Sequence, residues 1–202
     1  MERYLVTHSL LSSWLYALKE NPYEDMTTEK DYLQEFLTVL RREPTEVTDA
    51  MRNGNEFEDL VTNILSGEAD ESHPWYAAAR KAAGMVGGLA QYKAKAETTI
   101  DGIRVLMYGR LDWLRAGVIY DTKFSKSYDR GKYLTSTQHP MYFALIPEAT
   151  EFVYVVCNGT DVWTETYRRD EAADIREIIS CFFTWLKDND LFELYKEKWV
   201  AA

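Results

Sequence analysis

The sequence contains few cysteines and no long apolar run, and these shortages exclude several classes of protein. With 2 cysteines in 202 residues, a zinc site or an iron–sulfur cluster built on four cysteines is excluded by count. Cys157 and Cys181 both lie in apolar stretches, so we expect two buried free thiols. No apolar run approaches the roughly 20 residues of a membrane span, and the segment 1–6 lacks the apolar core of a signal peptide. We therefore expect a cytoplasmic protein without membrane contact.

Positive charge is also in the minority. The chain has 23 Lys and Arg residues against 33 Asp and Glu residues, a net charge of −10. This charge disfavours a general nucleic-acid coat protein, which needs many cations to displace counterions. It is compatible with an enzyme that has a small basic cleft, and with carboxylates gathered around a metal cation. Apolar residues make up 46% and aromatic residues 14%, which is enough for a folded core.

The spacing of apolar residues predicts both helices and strands. Helical spacing predicts helices over 9–20, 28–41, 46–66, 75–91 and 133–146, and from residue 170 onward. Alternation predicts strands over 92–100, 103–114, 118–124, 152–157 and 162–167. We expect an α+β sandwich of α/β type, with a central mixed sheet flanked by helices. It would form a single domain over 1–202, with N-terminal helices in 1–45, a core in 46–168 and C-terminal helices in 169–202.

Two acids and a lysine are predicted to share one face of two neighbouring strands. Asp121 and Lys123 are two residues apart in a strand, so their side chains point to the same side. If Ala116-Gly117 is a two-residue turn, Asp112 lies directly opposite Asp121 and Arg110 lies opposite Lys123. Facing carboxylates repel each other, and a cation between them would relieve the repulsion. A three-residue turn would instead put Asp112 on the other face.

Further candidates lie on predicted helices. Glu58 falls at the edge of an apolar helix face, so it is an acid aimed toward the interior, where an ionised group needs a partner. Gln138 and Tyr142 are four residues apart and can share one side of the next helix. Three acids and a lysine at one sheet edge suit Mg²⁺ or Mn²⁺, because these cations prefer oxygen ligands. Such a metal can polarise a phosphodiester and activate water, while a lysine can orient or deprotonate that water and neutralise developing charge.

These residues, in this order, resemble the motifs of PD-(D/E)XK nucleases. The matching segments are Gly54-x-x-x-Glu58, Gly109-Arg110-Leu111-Asp112, Ile119-Tyr120-Asp121-Thr122-Lys123 and Gln138-x-Pro-x-Tyr142. The sequence is most similar to the RecB-like and lambda-exonuclease-like branch, including its phage-encoded members, over about residues 50–145. This resemblance implies a restriction-endonuclease-like core. The chain departs from many RecB-like members because it lacks the four cysteines of an iron–sulfur cluster, and it carries no helicase motif.

The resemblance also implies roles for individual residues. Glu58, Asp112 and Asp121 would bind Mg²⁺ or Mn²⁺ together with the backbone carbonyl of Thr122, and the three acids would act in catalysis with Lys123. Gln138 and Tyr142 match an element that positions DNA or the catalytic lysine.

A basic segment follows Lys123 in the sequence. Lys126, Arg130 and Lys132 would form a phosphate-binding rim beside the metal site, with Arg110 as a further substrate contact. Tyr128 and Tyr133 are interleaved with these cations and could stack on the bases of a single strand. A solvated loop explains the same residues equally well. We interpret His8, His73 and His139 as structural or surface residues.

The sequence thus predicts a Mg²⁺- or Mn²⁺-dependent deoxyribonuclease. We expect an exonuclease that acts on duplex ends or single-stranded DNA, in phage or recombination and repair processing, within a bacterial or phage-infected cell. A homo-oligomer or a recombination partner protein is compatible with this activity. The alternative is a catalytically silent nuclease-fold protein that binds nucleic acid or another protein. A two-carboxylate hydrolase acting on sugars explains the sequence less well, because it leaves Lys123 and Glu58 without a role.

Overall fold

The structure is a computed structural model that describes residues 2–18 and 32–201. The helices in these ranges are α1 (His8–Ala17), α2 (Tyr32–Leu40), α3 (Asp49–Ser66), α4 (Tyr76–Ala83), α5 (Gln138–Leu145), α6 (Ile175–Asp188) and α7 (Phe192–Lys198). The strands are β1 (Tyr4–Thr7), β2 (Leu89–Ile100), β3 (Ile103–Arg115), β4 (Val118–Phe124), β5 (Glu151–Cys157) and β6 (Val162–Arg168).

The strands form one mixed sheet. Five of them follow the order β1-β3-β4-β5-β6, and β2 also pairs with β3. The β1–β3 and β4–β5 pairs are parallel, whereas the β3–β4 and β5–β6 pairs are antiparallel. Helix α5 lies in the crossover between β4 and β5, because parallel neighbours cannot be joined by a short hairpin. The expected α+β architecture, a mixed sheet flanked by helices, is confirmed.

Local sequence signals set the ends of these elements. The Asp101-Gly102 turn has φ values of 50° and 77°, and the Ala116-Gly117 turn has φ values of 49° and 80°. Both are therefore two-residue turns of the type that matches the twist of a hairpin. Helix α3 begins after Thr48, whose hydroxyl accepts a hydrogen bond from the Met51 amide, and ends at Gly67 in the left-handed conformation with φ 77°.

The prediction of a helix over 75–91 is wrong beyond Ala83. Gly87 and Gly88 have φ values of 144° and 94°, which a helix cannot contain. A Cβ atom on Gly88 would lie 2.3 Å from the Leu114 carbonyl oxygen, so the backbone passes close to β3 at this point. The chain turns there and enters β2 at Leu89, three residues before the predicted strand.

Other boundaries also differ from the prediction. The helix expected over 133–146 is shorter and begins at Gln138. Strand β1 was not expected, because its four residues are too few to show alternation. The predicted segments 19–20 and 28–31 lie outside the described residues.

One of the two expected buried thiols is exposed. Cys157 is buried, but Cys181 is exposed on α6. The buried side of α6 consists of Ile175, Ile179, Phe182, Phe183 and Leu186. Cys181 is next to Phe182 in sequence, but consecutive residues on a helix point in directions about 100° apart.

The chain divides into two compact units. The first comprises Met1–Glu46, Lys95–Gly109 and Ala173–Ala202, and the second comprises Val47–Ala94 and Arg110–Ala172. The first unit has an aromatic core in which Phe182 packs on Trp14 at 5.3 Å and on Tyr195 at 5.7 Å between ring centroids.

The second unit has its own core between α3, α4 and the sheet. Its buried members include Phe57, Val61, Ala79, Ala82, Trp113 and Val155. Tyr120 and Phe124 of β4 pack against this core, so α3 is held beside the strand that carries Asp121 and Lys123. Within 2–18 and 32–201, no helix has the length and apolar character needed to cross a membrane.

Candidate functional site

All the acids and the lysine predicted to act together lie in the second unit. The β3–β4 pairing places Arg115 opposite Val118, Leu114 opposite Ile119, and Trp113 opposite Tyr120, as the two-residue turn requires.

The predicted pairs Asp112–Asp121 and Arg110–Lys123 are not part of the regular β3–β4 pairing of the described strands, which ends at Trp113. Asp112 lies next along β3, and its Oδ2 accepts hydrogen bonds from the Thr122 amide at 2.9 Å and the Thr122 hydroxyl at 3.3 Å. A side-chain carboxylate thus takes the place of a backbone carbonyl as the acceptor. Asp112 is directed at β4, where Asp121 and Lys123 flank Thr122.

Asp121 and Lys123 form an ion pair on the same side of β4, in which Asp121 is buried and Lys123 is half-buried. The Asp121 side chain is 4% exposed, and its Oδ2 lies 2.6 Å from Lys123 Nζ. Its Oδ1 accepts a hydrogen bond from Gln138 Nε2 at 2.6 Å. Among the described residues, Oδ2 has this ionic partner but no hydrogen bond of good geometry. The Gln138 amide group therefore fixes Oδ1 of Asp121, while Oδ2 faces the Lys123 ammonium.

Glu58 lies on α3, at the edge of the apolar side as predicted. Its neighbours Phe57, Leu60 and Val61 are buried, whereas Glu58 itself is half-buried. Glu58 Oε1 accepts a hydrogen bond from Gln91 Nε2 at 2.6 Å. Glu56 is exposed on the other side of the helix and contacts His73.

The charges of these side chains influence one another strongly. Burial raises the pKa of Asp112 well above its usual value, and the nearby negative charges of Asp121 and Glu58 raise it further. Burial alone would lower the pKa of Lys123, but the attraction of Asp121 and Asp112 outweighs it and raises that pKa. Lys123 is therefore an ammonium ion at neutral pH, and the negative charges of all three acids favour its protonated form.

These residues provide the donor chemistry that a hard divalent cation needs. Carboxylate oxygens are its preferred protein ligands, and added positive charge would relieve the repulsion at Asp112. In residues 2–18 and 32–201, however, no three His, Cys, Asp or Glu side chains are arranged closely enough to hold a metal ion. In the present arrangement the Lys123 ammonium supplies the positive charge beside Asp121.

Helix α5 places Gln138 and Tyr142 in the same region. Gln138 is 4% exposed and bonds Asp121, and Tyr142 is also buried. The Tyr142 hydroxyl donates to the Arg110 carbonyl at 2.9 Å. Burial raises the pKa of Tyr142, as does the negative charge of Asp121, so the phenol stays neutral and can donate this bond. The structure thus gives both residues contacts with the two strands that carry the acids.

The predicted basic rim consists of residues with different surroundings. Lys126, Arg130 and Arg110 are exposed. Lys132 Nζ is used inside the loop, where it bonds Ser125 Oγ at 2.5 Å and the Ser127 carbonyl at 3.1 Å.

The two tyrosines of this loop are engaged by protein groups. Tyr133 stacks on Tyr154 with ring centroids 4.3 Å apart, and Tyr128 packs on Trp163 at 5.4 Å. At most one face of each ring is left for a base.

Two residues near the site were not predicted from the sequence. Gln91 bonds Glu58 from the start of β2, where its φ of 52° departs from strand geometry. Glu165 on β6 accepts hydrogen bonds from the loop that follows β4. Each lies far in sequence from the residues it contacts, and a single polar residue in a strand is normally a solvent-facing position.

The chain is similar in structure to SSO0001, whose crystal structure is known. The superposition has a TM-score of 0.54 and covers 94% of this chain and 79% of SSO0001, at 15% sequence identity. At that identity the similarity extends to the fold alone. No family model and no curated protein sequence matches the chain.

Proposed function

We propose that this chain is a Mg²⁺- or Mn²⁺-dependent nuclease that hydrolyses DNA phosphodiester bonds. The observation that supports this proposal best is that the negative charges of Asp121, Asp112 and Glu58 all act on one lysine, Lys123. Asp121 contacts Lys123 at 2.6 Å, and the charges of Asp121 and Glu58 both raise the pKa of Asp112. A structural role alone would not require three mutually repelling carboxylates, because repulsion of this kind destabilises the fold.

The proposed metal ligands are Glu58, Asp112, Asp121 and the carbonyl of Thr122. A divalent cation at these oxygens would supply Lewis-acid chemistry at the phosphate. Asp112 is oriented by the Thr122 amide, and Glu58 by the Gln91 amide group. Both acids are thus held by neutral donors, which restrict the side chains without removing their negative charge.

Lys123 contributes positive charge in this proposal. Because its pKa is raised, it is protonated at neutral pH and is a poor acceptor for a proton from water. An ammonium group beside the acids can instead contact a phosphate oxygen and stabilise the negative charge that develops on it during hydrolysis. Gln138 holds the opposite oxygen of Asp121, so that Oδ2 stays directed at Lys123.

The finer features of the proposal follow from the motif resemblance. In this proposal the chain is an exonuclease that acts on DNA ends, in phage or recombination processing. The exposed cations Lys126 and Arg130 lie on the loop that leaves β4 just after Lys123, and they support a nucleic-acid substrate over a sugar.

Incubation of the purified chain with end-labelled linear DNA tests this function. We expect cleavage in Mg²⁺ or Mn²⁺ and none in EDTA. Lys123→Ala removes the ammonium, and we expect it to lower the cleavage rate by about 10² to 10³, the range for loss of one charge-stabilising group. Lys81→Ala on the exposed side of α4 is the control and should cleave at the wild-type rate. A folded wild-type chain that leaves DNA and RNA intact in both metals would refute the proposal.

A second candidate is a nuclease-fold protein that binds nucleic acid without cutting it. It is favoured by the finding that no described group of three His, Cys, Asp or Glu side chains is arranged to hold a metal. Thermal unfolding separates the two candidates, because a ligand that binds only the native state raises the unfolding midpoint. A rise in the unfolding midpoint on addition of Mn²⁺, absent in Asp121→Asn, supports the nuclease. Binding of DNA with no response to Mn²⁺ supports the binding protein.

A further inference from the structure

Glu165 is a buried carboxylate that the proposed reaction does not use. It lies on β6, is 8% exposed, and accepts hydrogen bonds at both oxygens. Oε2 accepts from the Tyr128 hydroxyl at 2.6 Å and the Gly131 amide at 3.1 Å, while Oε1 accepts from the Tyr133 amide at 3.2 Å and from the Tyr167 hydroxyl. A buried carboxylate with four donors is well satisfied, so it can remain charged.

Three of the four donors belong to the loop 125–137. This loop leaves β4 after Phe124 and ends where α5 begins at Gln138. Lys123 lies just before the loop, and Gln138 at its end bonds Asp121. Both ends of the loop are therefore at the candidate site, and Glu165 fixes its middle.

The rest of the loop is fixed by contacts with its own residues and with the sheet. Lys132 bonds Ser125 and Ser127, which closes the first half of the loop on itself. Tyr133 stacks on Tyr154, and the Tyr154 hydroxyl donates to Ser136 Oγ at 3.2 Å. Lys126 and Arg130 remain exposed.

The loop also differs in charge from the rest of the molecule. The segment 125–137 contains three cations and one acid, whereas the whole chain has a net charge of −10. A locally basic segment beside an acidic site is the arrangement expected where an anionic polymer has to approach carboxylates.

We propose that Glu165 is a positioning residue: it holds the 125–137 loop so that Lys126 and Arg130 bind DNA backbone phosphates beside the acids and Lys123. This inference rests on the proposed function for the identity of the ligand. Glu165 itself touches no substrate and acts through the loop.

Two tyrosines that donate to the same carboxylate provide a matched test. Tyr128→Phe removes a bond between the loop and Glu165, whereas Tyr167→Phe removes a bond within β6 and leaves the loop contacts in place. The probe is a short fluorescent single-stranded DNA, with Ca²⁺ in place of Mg²⁺ so that the strand stays intact. We expect the Kd to rise about five- to tenfold in Tyr128→Phe, which corresponds to loss of one or two phosphate contacts, and less than twofold in Tyr167→Phe.

The salt dependence of binding separates the proposed role from a general loss of stability. Combined Lys126→Gln and Arg130→Gln should lower the magnitude of the slope of log K against log salt by about 1.4, because each phosphate contact with a single strand contributes about 0.7. Glu165→Gln should lower this slope as well, and hydrogen exchange at the Gly131 and Tyr133 amides should become faster. If Glu165→Gln does not fold, Tyr128→Phe replaces it in the same two measurements.

The outcomes distinguish this inference from the proposed function. An unchanged Kd and salt slope in Tyr128→Phe and in the Lys126, Arg130 double variant would overturn the inference, even if the wild type cleaves DNA. If the wild type binds DNA through the loop but does not cleave it in Mg²⁺ or Mn²⁺, the proposed nuclease activity is overturned and the inference about the loop stays in place. A wild type that does not bind the DNA strand would overturn the inference directly.

Discussion

At Asp112 two effects oppose each other. The Thr122 amide and hydroxyl hold the carboxylate in place, while burial and the charges of Asp121 and Glu58 disfavour its ionised form. The raised pKa means that ionised Asp112 destabilises the folded chain at neutral pH, since the unfolded chain ionises the same group freely. Residues retained at such a cost to stability are expected where a cation or a substrate uses the charge.

Asp112→Asn should therefore stabilise the chain in EDTA at pH 7 and abolish cleavage. The amide keeps an oxygen for the Thr122 amide but removes the repelled charge. The stability advantage of the variant should shrink as the pH falls through the raised folded-state pKa, because the wild-type carboxyl then becomes neutral too. Urea denaturation at several pH values measures the difference in free energy of unfolding between the variant and the wild type. Asp59→Asn, on the exposed side of α3, is the control, and equal shifts in the two variants would contradict the explanation.

Among the elements, the turn before β2 depends most directly on one residue. Gly88 has φ 94°, and its Cα faces the backbone of β3 so closely that an added Cβ would lie 2.3 Å from the Leu114 carbonyl oxygen. This close approach lets β2 begin at Leu89 and brings Gln91 to Glu58. The contact between α3 and β2 therefore follows from the conformation of a glycine.

Gly88→Ala should lower the free energy of unfolding by about 2 kcal/mol or more, because both the positive φ and the Leu114 contact oppose a side chain. Gly54→Ala is the matched control. Gly54 lies inside α3, and apart from adjoining parts of its own helix no atom lies within 4 Å of an added Cβ, so alanine there should stabilise the chain by about 0.5 to 1 kcal/mol. Urea denaturation of both variants gives the comparison, and the same sign of change in both would argue against this account of the turn.

Across the whole molecule, a buried histidine shapes the response to pH. His139 stacks on Tyr167 at 4.2 Å and bonds the Tyr154 hydroxyl at 3.3 Å. Burial lowers the pKa of His139 to about 4, with a smaller opposing effect from Glu165. Its folded-state pKa thus lies below the value of 6.5 for a free histidine, so protons favour the unfolded chain between these two values.

The free energy of unfolding should consequently fall by about 3 kcal/mol more in the wild type than in His139→Gln as the pH is lowered from 7 to 4. Glu165 affects stability at lower pH. Burial opposes its ionisation, but its hydrogen bonds outweigh burial and lower its pKa. The stability that Glu165 contributes is therefore lost only below the usual pKa range of a glutamate. His73→Gln, at a half-buried position beside Glu56, is the control. If the free energy of unfolding changes with pH in the same way in the wild type and in His139→Gln, the lowered pKa of His139 does not explain the acid sensitivity.

The helices, strands and turns near the site follow in large part from local sequence. The Ala116-Gly117 turn and strand β4 occur where the sequence predicts them, because a two-residue turn with glycine and an alternating apolar strand are local properties. The convergence of Asp121 with Lys123 also follows from the two-residue period of a strand. The first part of the helix predicted over 133–146 did not form, and its residues 133–137 belong to a loop in which the Tyr133 amide binds Glu165 of a distant strand.

The sequence by itself determined the mixed α+β architecture, the turn register and the residues able to act as acids and cations. Only the tertiary structure decided that the Asp112 side chain bonds Thr122 of the facing strand, that Gln91 holds Glu58, and that Glu165 anchors the loop beside Lys123. These contacts join residues between 10 and 34 positions apart, and their formation depends on how packed elements meet. Periodicity describes one element at a time, so it cannot specify which distant side chain will satisfy a buried charge.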